Sequence, residues 1–458
     1  MTMRISVIKM ICFFMGLSEI SAAYSYEKMQ MKLELDKPTF VLPQFSGPYM
    51  EREATIAPEE VERAEAMKAL LESDNRDEVL QALAEYYDLE LSPAMVMLKA
   101  QLYFSLEMFD KAEATYLAVL KRKPQLIRAH ADLGQLYLVL DKSKLAQKHL
   151  ARAVALGNNE AVIHGQLAYL NLINNGAYSA ISEYQQAMAL EPNNRQWQQG
   201  LLAALTQAQM YEAANALIHE MLEKSPSDKS LWLAQAAVAL QLDERKRALL
   251  SLEMALLLGE DTPNNLKTAA KLHLQLQSYD RAIELLERSF EKADIDMRLV
   301  GEYLQWLEVS GLSHKGWQLL TQVENRLQTF SLQDQSAFFL HQGNLFVRQG
   351  NIAEAMQAYN TSLEKDPTNG ATLVAFARQR ALQQQYTEAE LLYSRAKAIG
   401  EVEKKALLGL SQLYLEMKDY PAALQTLRSV VVKFPEVVDA QESVEAIQRI
   451  IKAKSNSI

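Results

Sequence analysis

The feature that most constrains this chain is an internal repeat with a period of about 34 residues. Ala112, Ala146, Ala180, Ala214, Ala248 and Ala282 recur at that interval, as do Pro192 and Pro226. Four residues after each alanine stand Tyr116, Leu150, Tyr184, Ile218, Leu252 and Leu286, and seven after it Val119, Ala153, Ala187, Met221, Ala255 and Ser289. A second set lies upstream: Ala100/Tyr103, Gly134/Tyr137, Ala168/Asn171, Ala236/Ala239 and Ala270/His273. Apolar positions three and four apart form one stripe of an amphipathic helix. Two such stretches of about 14 residues, joined by a short polar turn, make a helix hairpin. Asp141-Lys142-Ser143 and Asn174-Asn175-Gly176 are such turns. The small residues let two helices cross at the short end of the roughly 8–10 Å range. Alanine does this without the loss of about 1 kcal/mol that glycine would bring to a helix interior.

The pattern resembles the tetratricopeptide repeat, with a small residue and Tyr on helix A, Ala and an aromatic on helix B, and Pro at the end. In the unit 93–126 these are Ala100, Tyr103, Ala112, Tyr116 and Pro124; in 336–369 they are Gly343, Phe346, Ala355, Tyr359 and Pro367. The unit 404–437 has Tyr414, Tyr420, Ala423, Leu427 and Pro435. Ten units begin at residues 93, 127, 161, 195, 229, 263, 297, 336, 370 and 404, and nine of them carry Ala at the crossing. The unit 297–335 departs: it has Gly316 at the crossing, exceeds the period, and is read as a degenerate repeat. The resemblance implies an all-α, right-handed superhelical solenoid of about ten helix-turn-helix repeats over residues 93–437.

The flanks read differently. Residues 1–23 have the form of an export signal: Arg4 and Lys9, the apolar run Met10 to Leu17, then Ser21-Ala22-Ala23, with cleavage expected after Ala23. That run is shorter than the roughly 20 residues of a membrane-spanning helix, and export implies a periplasmic product; the competing reading is a cytoplasmic protein with an apolar start. Residues 24–57, with Pro38, Pro43 and Pro48, read as an extended or disordered arm. Its apolar string Thr39 to Phe45 is either a docking strand or a loosely packed leader. Residues 58–92 read as an irregular helical hairpin opened by Pro58, its second helix running from Arg76 to Tyr87. Residues 438–458 read as a capping helix and tail. Val438, Val444, Ile447 and Ile451 are expected on its inner side, and Glu442, Glu445, Gln448, Arg449 and Lys452 on its polar outer face.

Chemistry is sparse. With 47 Lys and Arg against 57 Asp and Glu, the net charge of -10 argues against a dedicated nucleic-acid binder. The single cysteine, Cys12, lies in the export segment, which excludes a disulfide framework and a thiol nucleophile from the mature chain. His130 and His164 occupy equivalent positions of adjacent units and read as core histidines, since neither has a partner at helical ligand spacing. His219-Glu220 is not followed by a second histidine at metalloprotease spacing, and no phosphate-binding glycine loop or nucleophile elbow occurs. Trp197, Trp232, Trp306 and Trp317 are scattered across units and are expected to fill helix crossings. The expectation is a non-enzyme with no metal and no cofactor.

The resemblance further implies that residues five, nine and twelve of helix A face a concave groove. These are Met97/Gln101/Phe104, Ala131/Gln135/Leu138, Gly165/Tyr169/Leu172, Leu233/Ala237/Leu240 and Lys267/Lys271/Leu274. Later units give Leu340/Asn344/Val347, Val374/Arg378/Ala381 and Leu408/Gln412/Leu415. The wall is neutral and partly apolar, unlike the lysine-and-asparagine clamp with which some members grip a C-terminal carboxylate. Two readings stand: an apolar ladder that receives a polypeptide segment, or a twelfth position buried between helices as core. Exported members of this family serve envelope assembly, polysaccharide export or TonB-type transport. The expectation is therefore an envelope scaffold with a protein partner; the alternatives are a cytosolic adaptor and a carbohydrate-binding or enzyme-accessory protein.

Overall fold

The computed structural model describes residues 54–73, 75–174 and 176–455. The expected export segment and residues 24–53 of the arm lie outside them. The described residues form 23 α-helices and two short 3-10 turns, with no strand. They divide into two compact units, one ending at Leu258 and the other beginning at Gly259.

The first unit opens with a 3-10 turn, Pro58–Glu60, followed by α1 (Val61–Glu72) and α2 (Arg76–Ala84). Five hairpins follow: α3 (Pro93–Ser105) with α4 (Phe109–Arg122), α5 (Ile127–Val139) with α6 (Ser143–Ala155), α7 (Ala161–Ile173) with α8 (Ala177–Leu190), α9 (Arg195–Gln207) with α10 (Tyr211–Lys224), and α11 (Lys229–Gln241) with α12 (Arg245–Leu257). Helix α2 stops at Ala84, short of the expected Tyr87. The chain beyond it is drawn into a loop, because Lys99 Nζ takes the carbonyl of Tyr86 (3.1 Å) and Arg122 takes those of Asp88 (2.8 Å) and Leu91 (2.7 Å). Ser92 then caps α3 by accepting from the Met95 amide, with Pro93 in the first turn.

The second unit contains α13 (Pro263–Gln275) with α14 (Tyr279–Lys292), α15 (Met297–Val309) with α16 (Ser313–Glu324), α17 (Leu332–Gln349) with α18 (Ile352–Lys365), α19 (Gly370–Leu382) with α20 (Tyr386–Lys397), and α21 (Glu403–Glu416) with α22 (Tyr420–Lys433). The final helix is α23 (Val438–Ser455). The extra residues of the degenerate repeat become a 3-10 turn, Leu327–Thr329, and an added N-terminal turn on α17, which Ser331 caps. In α23, Ala440, Val444 and Ile447 are buried while Val438 is 79% exposed, so Val438 leaves the inner side assigned to it. It stands at the first helical position, before the helix has turned its side chains onto the preceding hairpin. Glu442, Glu445, Gln448, Arg449 and Lys452 are exposed, as the capping role requires.

Why the period is so regular is visible at the turns inside the hairpins that are described there. Glu107, Asp141, Gln209, Asp243, Gln277, Gly311, Gly350, Gln384 and Lys418 all have positive φ, between 55° and 82°. Each stands at the same distance from the start of its unit. The bonds are those of a left-handed helix cap. Glu107 N donates to Phe104 O and Met108 N to Tyr103 O, and Asp141/Lys142 and Gln209/Met210 repeat them. The core follows the repeat. Ala112, Ala146, Ala180, Ala214, Ala248, Ala282, Ala355, Ala389 and Ala423 have no measurable exposure. At Gly134 an added Cβ would lie 2.6 Å from the Leu150 side chain, within its own hairpin. At Gly200 it would lie 2.2 Å from the ring of Tyr184, on the helix before. Close approach is thus required both within hairpins and from one to the next.

Candidate protein-interaction site

In the first unit the A helices α3, α5, α7, α9 and α11 carry the expected wall. Phe104 and Leu172 are only 2% and 4% exposed, and Phe104 meets Phe109 edge-on with ring centroids 6.2 Å apart. Their side chains are therefore core, covered by the neighbouring helices. Gln101 and Gln135 are buried too. Gln101 Nε2 donates to Asp132 Oδ2 at 2.7 Å, and the Tyr116 hydroxyl donates to the same oxygen at 3.3 Å. The ninth residue of one unit thus bonds the sixth of the next, a tie between hairpins that the list of groove positions does not contain. Burial pushes the Asp132 carboxyl up to about 6, the donors from Gln101 and Tyr116 limiting the rise. In the following pair Gln135 leaves its buried Oε1 without a partner among the described residues. At Gly165 the space a side chain would need is filled by the Trp197 ring, 2.1 Å from where a Cβ would stand. What remains accessible on this wall is Leu138, Tyr169, Leu233 and Leu240, all half-buried.

The wall of the second unit is more polar. Lys267 and Lys271 are half-buried, and Lys271 lies 3.8 Å from Glu302, again a ninth residue facing the sixth of the next unit. Arg348 lies 3.8 Å from Glu308, whose carboxyl is raised by burial with the nearby guanidinium opposing it. Asn344 accepts a 2.8 Å bond from the Tyr359 hydroxyl. Arg378 is exposed and has no ion pair or side-chain bond among the described residues. Gln412, at the equivalent position of the next A helix, gives its Nε2 to Glu416 (3.0 Å) and leaves a buried Oε1 unpartnered among the described residues. Arg348, Glu302 and Glu416 were not among the predicted wall residues: they fall at the sixth and thirteenth positions, outside the five-nine-twelve stripe.

Among the described residues no group of three or more His, Cys, Asp or Glu is placed to hold a metal ion. His130 and His164 each have a partner that helical spacing could not show. His130 Nδ1 is 3.0 Å from Nδ1 of His149, and His164 Nδ1 is 2.6 Å from Glu183 Oε2. Both partners lie on the B helix of the same hairpin. His130 Nε2 also meets the Pro124 carbonyl at 3.1 Å, which makes that nitrogen the donor and leaves His149 to donate between the rings. Burial, with the charges of His130 and Lys148, depresses His149 to about 4. Of the tryptophans, Trp197 is buried and bonded to Glu191 (2.8 Å), and Trp317 meets Phe346 with centroids 4.7 Å apart.

Hairpins that cross on an alanine or glycine and pack on the next hairpin within each unit define a helical-repeat protein of the nearest-neighbour kind. Models of the tetratricopeptide repeat match residues 94–126 and 340–404, so these two stretches carry repeats of that superfamily. The human protein O-mannosyl-transferase TMTC1 is 24% identical over 190 residues, 41% of this chain, and the match spans 21% of that protein's length. Among solved structures, YrrB, described as a TPR protein with an unusual peptide-binding site, is 18% identical, with 44% of this chain and 97% of that one covered and a TM-score of 0.37. Yeast Tom70 is 12% identical, with 79% and 96% covered and a TM-score of 0.37. The matched repeats support a protein-interaction scaffold.

Proposed function

We propose that this chain is a non-catalytic scaffold of a bacterial cell envelope, exported with cleavage after Ala23, and that it holds a polypeptide segment of a protein partner along the A-helix walls. It would serve as an accessory of an envelope assembly, export or TonB-type transport system. The observation that carries the reading is the row of side chains left accessible on the A helices, half-buried Leu138, Tyr169, Leu233 and Leu240 in the first unit and exposed Arg378 in the second. Around them the accessible residues are amides and apolar groups, suited to a peptide backbone and its side chains rather than to a reaction. No helix among the described residues is long and apolar enough to cross a membrane.

Two measurements test it. Mass spectrometry of the protein purified from its host reads the N-terminus; a chain beginning at Tyr24 is expected, and a retained Met1 moves the protein to the cytoplasm. For the wall, Leu138→Asp, Tyr169→Asp and Arg378→Glu alter accessible side chains, whereas changes at Phe104 and Leu172 would disturb the core. Partner recovery is expected to fall at least tenfold, about 1.4 kcal/mol of binding, with helicity unchanged. Full recovery of every partner by a folded triple variant would exclude the walls.

A further inference from the structure

Charge is unevenly placed in the first unit. Residues 111–152 hold nine Lys or Arg against three Asp or Glu, whereas residues 59–90 hold eleven Asp or Glu against three Lys or Arg. On the basic side, Lys144, Lys148 and Arg152 of α6 are exposed and have no ion-pair partner among the described residues. Lys144 and Lys148 rim a groove of about 470 Å³ whose floor is Val154, Leu167 and the alanines of α6. The one carboxylate in its lining, Glu183, is bonded to His164. Its amides are already joined, Gln147 Nε2 donating to Asn171 at 2.7 Å.

On the acidic side is the loop that follows α2. Tyr87 is 79% and Leu89 83% exposed, a large aromatic and a leucine uncovered side by side between Glu85 and Glu90. The loop is held firmly. Glu90 Oε2 accepts from the Tyr87 amide (2.9 Å), Lys99 pairs with Asp88 (3.0 Å), and Arg122 takes the carbonyls of Asp88 and Leu91. It is a pre-ordered apolar tip with an acidic rim, and so costs little entropy to dock.

From this complementarity we propose that the chain self-associates: the Tyr87–Leu89 tip of one copy seats in the α6 groove of another, the apolar side chains over Val154 and Leu167, with Glu85 and Glu90 facing Lys144 and Lys148. The contact uses no wall residue of the functional reading, so the two stand or fall separately. Rim charges chiefly set the salt dependence and the choice of partner, and the tip supplies the buried contact.

The test is sedimentation of the full chain at about 0.05 M and about 0.5 M salt, where screening lengths differ several-fold. Association at low salt that weakens at least tenfold at high salt is expected. Copies carrying Lys144→Glu with Lys148→Glu, and copies carrying Glu85→Lys with Glu90→Lys, should each be monomeric alone. Mixed, they should associate, since each presents a complement to the other. Tyr87→Ser with Leu89→Ser should abolish association at either salt. All these side chains are exposed, and circular dichroism checks that each variant is folded. A wild-type monomer at every salt, association indifferent to the swaps, or a monomer whose groove instead binds poly-glutamate would overturn the proposal.

Discussion

Asp132 is a buried acid held by two neutral donors, and its protonation is coupled to folding. With its carboxyl raised to about 6 from an ordinary value of 3.8, the folded state holds a proton that the unfolded chain releases first. Its contribution is therefore most favourable below about 4, and is lost as pH rises through about 6. Asp132→Asn should gain on the wild type by up to about 3 kcal/mol between those limits, read from urea midpoints of the two proteins across the window. A difference that stays flat with pH would contradict the assignment. Sterics give a second prediction at this scale. Gly200→Ala would put a Cβ 2.2 Å from the Tyr184 ring and should cost about 1–3 kcal/mol of stability. An unchanged thermal transition would mean that ring and helix are not so close. The crossing alanines were legible in the sequence because a small residue at a fixed interval has one geometric use. The partners of His130 and His164 were not, since a contact between two helices of a hairpin follows no helical spacing. Nor did the stripe at five, nine and twelve tell Phe104 and Leu172, both covered, from Leu138 and Leu240, which are half-open.

At the scale of the element, a left-handed residue stops helix A at the same place in the nine hairpins whose turn residue is described. Among the described residues, Gly311 and Gly350 meet it with glycine; the other seven are Glu, Asp, Gln and Lys, residues for which that conformation costs about 1–2 kcal/mol. Gln209→Gly should therefore stabilise the protein by roughly 0.5–1 kcal/mol, the gain reduced by the greater freedom of glycine in the unfolded chain. Denaturant titration decides, and a loss of stability would show that the Gln209 side chain makes a contact worth more than the strain. This device was hidden in the sequence because its side chains share no chemistry. The turns themselves were visible as polar breaks. The surplus of the degenerate repeat was visible as a number only; that it becomes a 3-10 turn and a longer α17 depends on the Ser331 cap, which starts the helix early.

Within each unit, cohesion passes from each hairpin to its neighbour, and stability is close to a sum of local terms. Ile447 of α23 is buried in one cluster with Ala423 and Leu427 of α22, the helix just before it. Ile447→Asp should cost about 3 kcal/mol or more where a charge meets that core, and speed amide exchange in residues 404–433 while leaving the first unit unchanged. Faster exchange throughout would contradict nearest-neighbour cohesion. The architecture was legible because periodicity is a property of the whole sequence. The interaction surface was less so, because exposure depends on how far each helix rotates toward the next, which composition does not record.

The inner wall is most directly examined by placing a photo-reactive amino acid at Arg378 in intact cells, with exposed Leu391 on α20 as the control position. Illumination should join the Arg378 position, and not the Leu391 position, to a segment of another polypeptide that mass spectrometry can read. Adducts at Leu391 alone, or none that contain a peptide, would contradict a wall built to hold one.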